Sequence, residues 1–63
     1  MKLSNLIETA DFIDDNTIII IRNIFSHILV FGNWYQDNIL EYHDREVVAF
    51  TWKNDNKIYI NIA

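Results

Sequence analysis

Four consecutive residues, His43, Asp44, Arg45 and Glu46, set an imidazole beside two carboxylates. A hydrolase uses such groups as a general base and the acid that orients it. The string alone has little specificity. If residues 44–46 are extended, Asp44 and Glu46 project to one side and Arg45 to the other. The quartet then reads as a helix-to-strand junction, with an aspartate making the turn and ion pairs at the surface. Asp37 and Glu41, four residues apart, have the spacing to share a cation, but a capping aspartate and a solvated glutamate explain them equally well. His27, near Arg22, reads as a neutral surface imidazole. Ser4 and Ser26 lie in no nucleophile motif. The chain has one glycine, too few for a phosphate-cradling loop, and no cysteine for a disulfide or a thiolate zinc site. The reading assigns no catalytic residue, no metal and no cofactor.

The elements that position these residues belong to one small domain, residues 1–63. A chain this short buries only about 60% of its unfolded surface, so a partner chain is the stabilising addition left open. The longest run of one apolar residue is four isoleucines, far short of the roughly 20 residues that span a bilayer. The start has no long apolar stretch of the signal-peptide kind, and a cytoplasmic location is expected. Net charge is −4, and the five basic residues, Lys2, Arg22, Arg45, Lys53 and Lys57, form no run. Direct nucleic-acid binding is therefore disfavoured.

Leu3, Leu6, Ile7, Ala10 and Ile13 follow helical spacing, with Ser4 as the expected cap and Glu8 and Asp11 in the early turns. Residues 17–23 and 27–34 read as strands. Asp37 can cap a short helix over 38–43, and residues 45–53 and 57–62 are two further strands. The order is α-β-β-α-β-β. The expected fold is α+β, a four-stranded, mainly antiparallel sheet with the first helix across one face.

Register follows from which pairing keeps apolar residues together. A three-residue loop at 54–56 sets Trp52 against Ile58, Phe50 against Ile60 and Val48 against Ile62, all on one face, with Asn56 in the left-handed conformation. A four-residue loop at 23–26 sets Ile21 against Ile28 and Ile19 against Val30. It also puts Ile18, Ile20, Leu29 and Phe31 on the opposite face, with Val47, Ala49 and Tyr59. Trp34 follows Val30 toward the core unless Gly32 marks a bulge. Both faces are then apolar, whereas a solvated antiparallel face normally alternates with polar residues. A homodimer through the outer face is expected, using Ile18, Ile20, Leu29, Phe31, Val47 and Tyr59. Tyr35 and Tyr42 have no internal home and, with the rim charges Asp37, Glu41 and Asp44, read as a partner-binding surface.

Leu3, Ser4 and Leu6, then Gly32, then Leu40 with Tyr42, Arg45 and Val47, and finally Asp55 give the chain a pattern that resembles small uncharacterised acidic proteins of bacterial phages and prophages. It departs from them at Trp34, Tyr35 and Trp52, where smaller or polar residues are expected. The resemblance carries no activity. It implies a mobile-element setting in a bacterial host. Small size, acidity and the lack of catalytic groups point to a non-catalytic interaction protein. One such role is inhibition of a host defence protein, such as a CRISPR nuclease, whose basic channel complements an acidic surface. The alternatives are a homo-oligomeric assembly module and a small hydrolase built on His43 and Glu46.

Overall fold

The computed structural model describes residues 1–63. Its elements are α1 (Leu3–Thr9), β1 (Ile18–Arg22), β2 (Ile28–Gly32), α2 (Asp37–Leu40), β3 (Val47–Lys53) and β4 (Lys57–Ile62). The class is α+β, as expected. The strands form one sheet in the order β2-β1-β4-β3. Each hairpin is antiparallel, and β1 and β4 join them as a parallel central pair. Central strands are covered from both sides, and the two isoleucine-rich strands occupy those places. Ile19 lies beside Ile58 and Ile21 beside Ile60, and all four are fully buried.

These isoleucines and Ile62 meet Leu3 and Leu6 of α1 and Ile39 of α2 in a single core on one side of the sheet. Burying each such side chain stabilises the fold by about 1.5–3 kcal/mol. Ile7, Ala10 and Ile13 pack partly against this core, so the apolar stripe holds, but the helix itself ends at Thr9. Glu8 therefore falls in its last turn and Asp11 outside it. Lys2, not Ser4, precedes the helix, and no side chain caps it. The loop before β3 does that work, because the Leu3 N–H donates to the Arg45 carbonyl at 2.9 Å and the Ser4 N–H to the His43 carbonyl at 3.0 Å. Leaving the helix early lets Phe12 turn back toward β3. Its ring stacks on Phe50 at 6.4 Å and meets the Trp52 edge at 4.8 Å. Asp37 is likewise the first residue of α2 and not its cap.

In the second hairpin Trp52 faces Ile58 and Phe50 faces Ile60, and Asn56 has φ 61°. A bulge between Val47 and Ala49 then sets Val47, not Val48, opposite Ile62. Val47 thereby leaves the outer face where it was expected and packs on the core, while Val48 is exposed. The chain is gripped from both sides at this point. The Ala63 N–H donates to the Glu46 carbonyl at 3.0 Å, and the Val47 N–H to the Met1 carbonyl at 2.7 Å.

The first hairpin differs more. The Asn23 N–H donates to the His27 carbonyl at 2.9 Å, which leaves a three-residue loop with Ser26 at φ 66°. Asn23 Oδ1 holds the loop by accepting from the Phe25 and His27 N–H groups. A bulge in the ladder follows, and Ile20 faces Phe31 while Ile21 faces Val30. That is two residues from the expected pairing, an even shift that keeps Val30 and Phe31 on their expected faces. Ile28 changes face, since it lies opposite Arg22.

Gly32 ends β2 at ordinary negative φ. It leaves room for the Gln36 side chain: a Cβ there would displace Gln36 Oε1, which accepts from the Asn33 N–H at 2.7 Å. Trp34 follows in a turn and does not enter the core. Its indole N–H donates to Asp15 Oδ1 at 2.8 Å.

Candidate interaction surfaces

The strand register maps the outer sheet face row by row. Phe31, Ile20, Tyr59 and Thr51 lie side by side across the middle. Ile28, Arg22 and Asn61 form one flanking row, and Ile18, Lys57 and Lys53 the other. The buried core, with both helices, lies on the opposite side. Ile20 is nonetheless almost inaccessible, because Phe31 and Tyr59 flank it in the same plane. The face is greasy toward β2 and polar toward β3.

Its apolar half continues into the β1–β2 turn. Ile24, Phe25, Ile28, Leu29 and Phe31 are 41–73% exposed. They leave on the order of 600 Å² of apolar side chain in water, at the upper limit of what one patch of a monomeric protein presents. Of the residues expected at a dimer interface, Leu29 and Phe31 are exposed, Ile18 and Tyr59 are half-buried and Ile20 is buried. Val47 is on the other side. The Arg22 guanidinium lies 4.9 Å from the Tyr59 ring centroid and its Nε donates to Asn61 Oδ1 at 2.9 Å, so this pair is held in place.

Charge is segregated between the two sides. Arg22, Lys53 and Lys57 occupy outer-face positions, and no acidic residue stands on a strand. Eight of the nine acids lie on the helices and the segments joining them to the sheet, and the ninth, Asp55, pairs with Lys57 in the β3–β4 turn at 3.4 Å. Tyr35, Asp37, Glu41 and Asp44 are all exposed on that acidic stretch, and Tyr35 meets Trp34 edge-on at 5.6 Å. Tyr42 is not a free anchor. It is half-buried against the core, with the Arg45 guanidinium 5.8 Å from its ring centroid. An open cleft of about 360 Å³, lined by Ile7, Glu8, Ile13, Asp15 and Trp34, lies between α1 and the turn after β2.

His43 and its neighbours do not converge on a common point. Its Nδ1 donates to the Leu40 carbonyl at 2.6 Å, and Nε2 lies 3.4 Å from Asp44 Oδ2. The Glu46 carboxylate pairs instead with the Met1 ammonium at 3.1 Å. Arg45 is held by the Ala63 carbonyl at 2.7 Å and 3.0 Å. No three His, Cys, Asp or Glu side chains gather as metal ligands, and no helix is long and apolar enough to cross a membrane.

The outer-face patch was only partly visible in the sequence. Loop composition alone marks residues 23–26 as a turn, but two adjacent large apolar residues there, Ile24 and Phe25, are the signal that the turn itself is a contact surface. Comparison with protein-family models, curated proteins and solved structures finds no match to this chain.

Proposed function

We propose that the chain is a non-catalytic interaction protein acting by stoichiometric binding, in the phage or mobile-element setting that its sequence resembles. The observation that carries this reading is the uncovered apolar patch on β2 and the β1–β2 turn, together with a helix side that carries eight of the nine acids against the two bases Lys2 and Arg45. The partner suited to that combination is a protein with a basic surface and an apolar strip. A host defence protein with a nucleic-acid channel, such as a CRISPR nuclease in the bacterial cytoplasm, has that chemistry. The acids steer the encounter and the apolar residues hold it. The test is capture from host lysate with wild type and Phe31→Lys at two salt concentrations. One retained basic protein, lost with Phe31→Lys and weakened by salt, supports the reading. A catalysed turnover of any captured species would overturn it.

A second reading is a homo-oligomeric accessory module whose outer faces cover each other, through Ile18, Ile20, Leu29, Phe31 and Tyr59. The same patch favours it. Arg22, Lys53 and Lys57 on both copies weigh against it, because two such faces bring like charges together. Self-association abolished by Phe31→Lys, with no retained host protein, would select it.

A further inference from the structure

The two edges of the sheet are treated differently. The β2 edge is blunted. A bulge interrupts its ladder, and the Asn38 side-chain N–H₂ on α2 donates to the Phe31 carbonyl at 3.0 Å. Bulges and covering groups are the usual protection against strand addition. The β3 edge is closed only at its start, where Lys2 bridges to Glu46 and Met1 accepts from Val47. From Val48 to Lys53 it pairs with β4 alone. This stretch has no acid, no proline and one lysine at its end. An antiparallel ladder leaves the N–H and C=O groups of every second residue pointing away from the partner strand.

The side chains beside this edge form a shelf on the helix side. Phe50 is 44% exposed and Trp52 38%, and Phe12 stands against both from the loop after α1. The other side carries Ala49, Thr51 and Lys53. An added strand that completes this arrangement must therefore alternate aromatic with small or polar residues.

We propose that the occupant is a second copy of the chain, with β3 pairing antiparallel to β3 about a two-fold axis at Thr51. Residues 48–54, the open stretch and the first residue of the turn after it, are then their own complement about that centre. Phe50 of each copy faces Trp52 of the other, Thr51 meets Thr51, and Lys53 meets Ala49, so no like charges are opposed. Other registers fit less well. A shift by one residue mixes the faces, and centring on Phe50 sets Lys53 against Val47, whose N–H is already taken by Met1. Exposed side chain of Val48, Phe50, Trp52 and Phe12 amounts to roughly 400 Å² per copy. With the backbone edge, the contact approaches the low end of specific interfaces, about 1,200 Å² in total. Its product is an eight-stranded sheet. The apolar patch at β2 stays free for the partner proposed above, so this pairing goes beyond that reading and does not depend on it.

Sedimentation equilibrium at roughly 100 µM, a concentration suited to a small interface, is the first measurement. Wild type and Phe31→Lys should sediment as dimers. Thr51→Lys, which sets lysine against lysine at the axis, should sediment as a monomer and should melt like wild type at a dilution where the wild-type dimer has dissociated. Monomeric wild type, or a dimer that survives Thr51→Lys, overturns the proposal. Loss of the dimer in Phe31→Lys alone assigns it to the outer face and equally overturns it. A second readout does not depend on the fold of the lysine variant. The chain has no cysteine, and directly opposed residues of an antiparallel pair lie within disulfide reach. Thr51→Cys should therefore oxidise to a covalent dimer, while Phe31→Cys, remote from the axis, forms no disulfide cross-link. Failure of Thr51→Cys to cross-link refutes the register.

Discussion

Thr17 is the one polar residue with no accessible surface, and its hydroxyl ties three parts of the chain together. It accepts from the Asp14 N–H at 3.0 Å and lies 3.0 Å from Asp14 Oδ1 and 2.9 Å from Asn56 Oδ1. The Asn56 carbonyl also accepts from the Ile18 N–H at 3.0 Å. Asn56 therefore does two jobs: it takes the left-handed conformation of the β3–β4 turn and fastens that turn to the start of β1. Asn56→Ala should cost about 2 kcal/mol, combining αL strain with one lost hydrogen bond. Asn56→Gly should cost less, because glycine removes only the bond. Urea unfolding of the two variants checks the order, and equal losses would mean that the turn conformation does not matter. Asp14 carries a pH consequence. The Asn16 N–H and then the Thr17 hydroxyl hydrogen-bond its carboxylate and hold its pKa below the ordinary aspartate value. A carboxyl whose pKa is lower in the folded state stabilises the fold above the unfolded pKa, and that stability is lost as pH falls through the folded pKa. Melting temperature followed from about pH 5 to pH 2 should drop less steeply in Asp14→Asn than in wild type. Parallel curves would show that the charge on Asp14 does not feed into stability.

The elements show which parts of the fold could be read from residue pattern and which needed contacts. The helix–hairpin–helix–hairpin order and the Trp52–Ile58 and Phe50–Ile60 pairs follow from alternation and from Asn56, a residue suited to positive φ. The first turn is one residue shorter than expected because Ser26 takes positive φ, which serine rarely does. The sign that it does so here is Asn23, whose side chain accepts two backbone N–H groups across the turn. Both bulges escaped the pattern, the first because alternation alone does not mark the extra residue in the β1–β2 ladder and the second because it depends on partners distant in sequence. Val47 is set by Met1 and Ala63. Its inward turn moved one of the six expected interface residues to the core. Trp52 shows how the same limit changes an energy. A fully buried indole would cost about 3–5 kcal/mol on truncation. Trp52 is at the uncovered β3 edge, 38% exposed and resting on Phe12, so Trp52→Ala should cost about 2 kcal/mol. Phe12→Ala should lower stability further in wild type than in the Trp52→Ala background, because the two rings support each other. Additive losses in that double-mutant cycle would show that the rings merely lie side by side.

At the scale of the whole molecule, a chain of net charge −4 presents two chemically different sides. Composition gave the sign but not the division. The division arises because the sheet connects two hairpins through β1 and β4, so that the strand lysines and Arg22 point away from the helices and nearly every acid lies on the connecting segments. An encounter with a basic protein should therefore be led by the acidic side. Asp37, Glu41 and Asp44 are exposed there without an ion pair strong enough to neutralise them: Asp44 lies 4.0 Å from the Lys2 ammonium at an open surface. Changing the three to their amides should slow association several-fold at low salt and leave dissociation nearly unchanged, because rim charges act mainly on the rate of encounter. Tyr35→Ala should instead speed dissociation, at a cost of roughly 2 kcal/mol, as a rigid exposed aromatic anchor would. Tyr42→Ala belongs to neither group. Its ring packs on the core beneath Arg45, so its first effect should be on melting temperature, and any binding loss should follow from that. His43→Ala should change neither folding nor binding, since its ring nitrogens are engaged within their own turn. The measurement is binding kinetics of these variants against whichever host protein the capture experiment retains, with melting curves for each. Loss of function confined to His43 and Glu46, in variants that remain folded, would reverse the assignment and make the junction before β3 an active site.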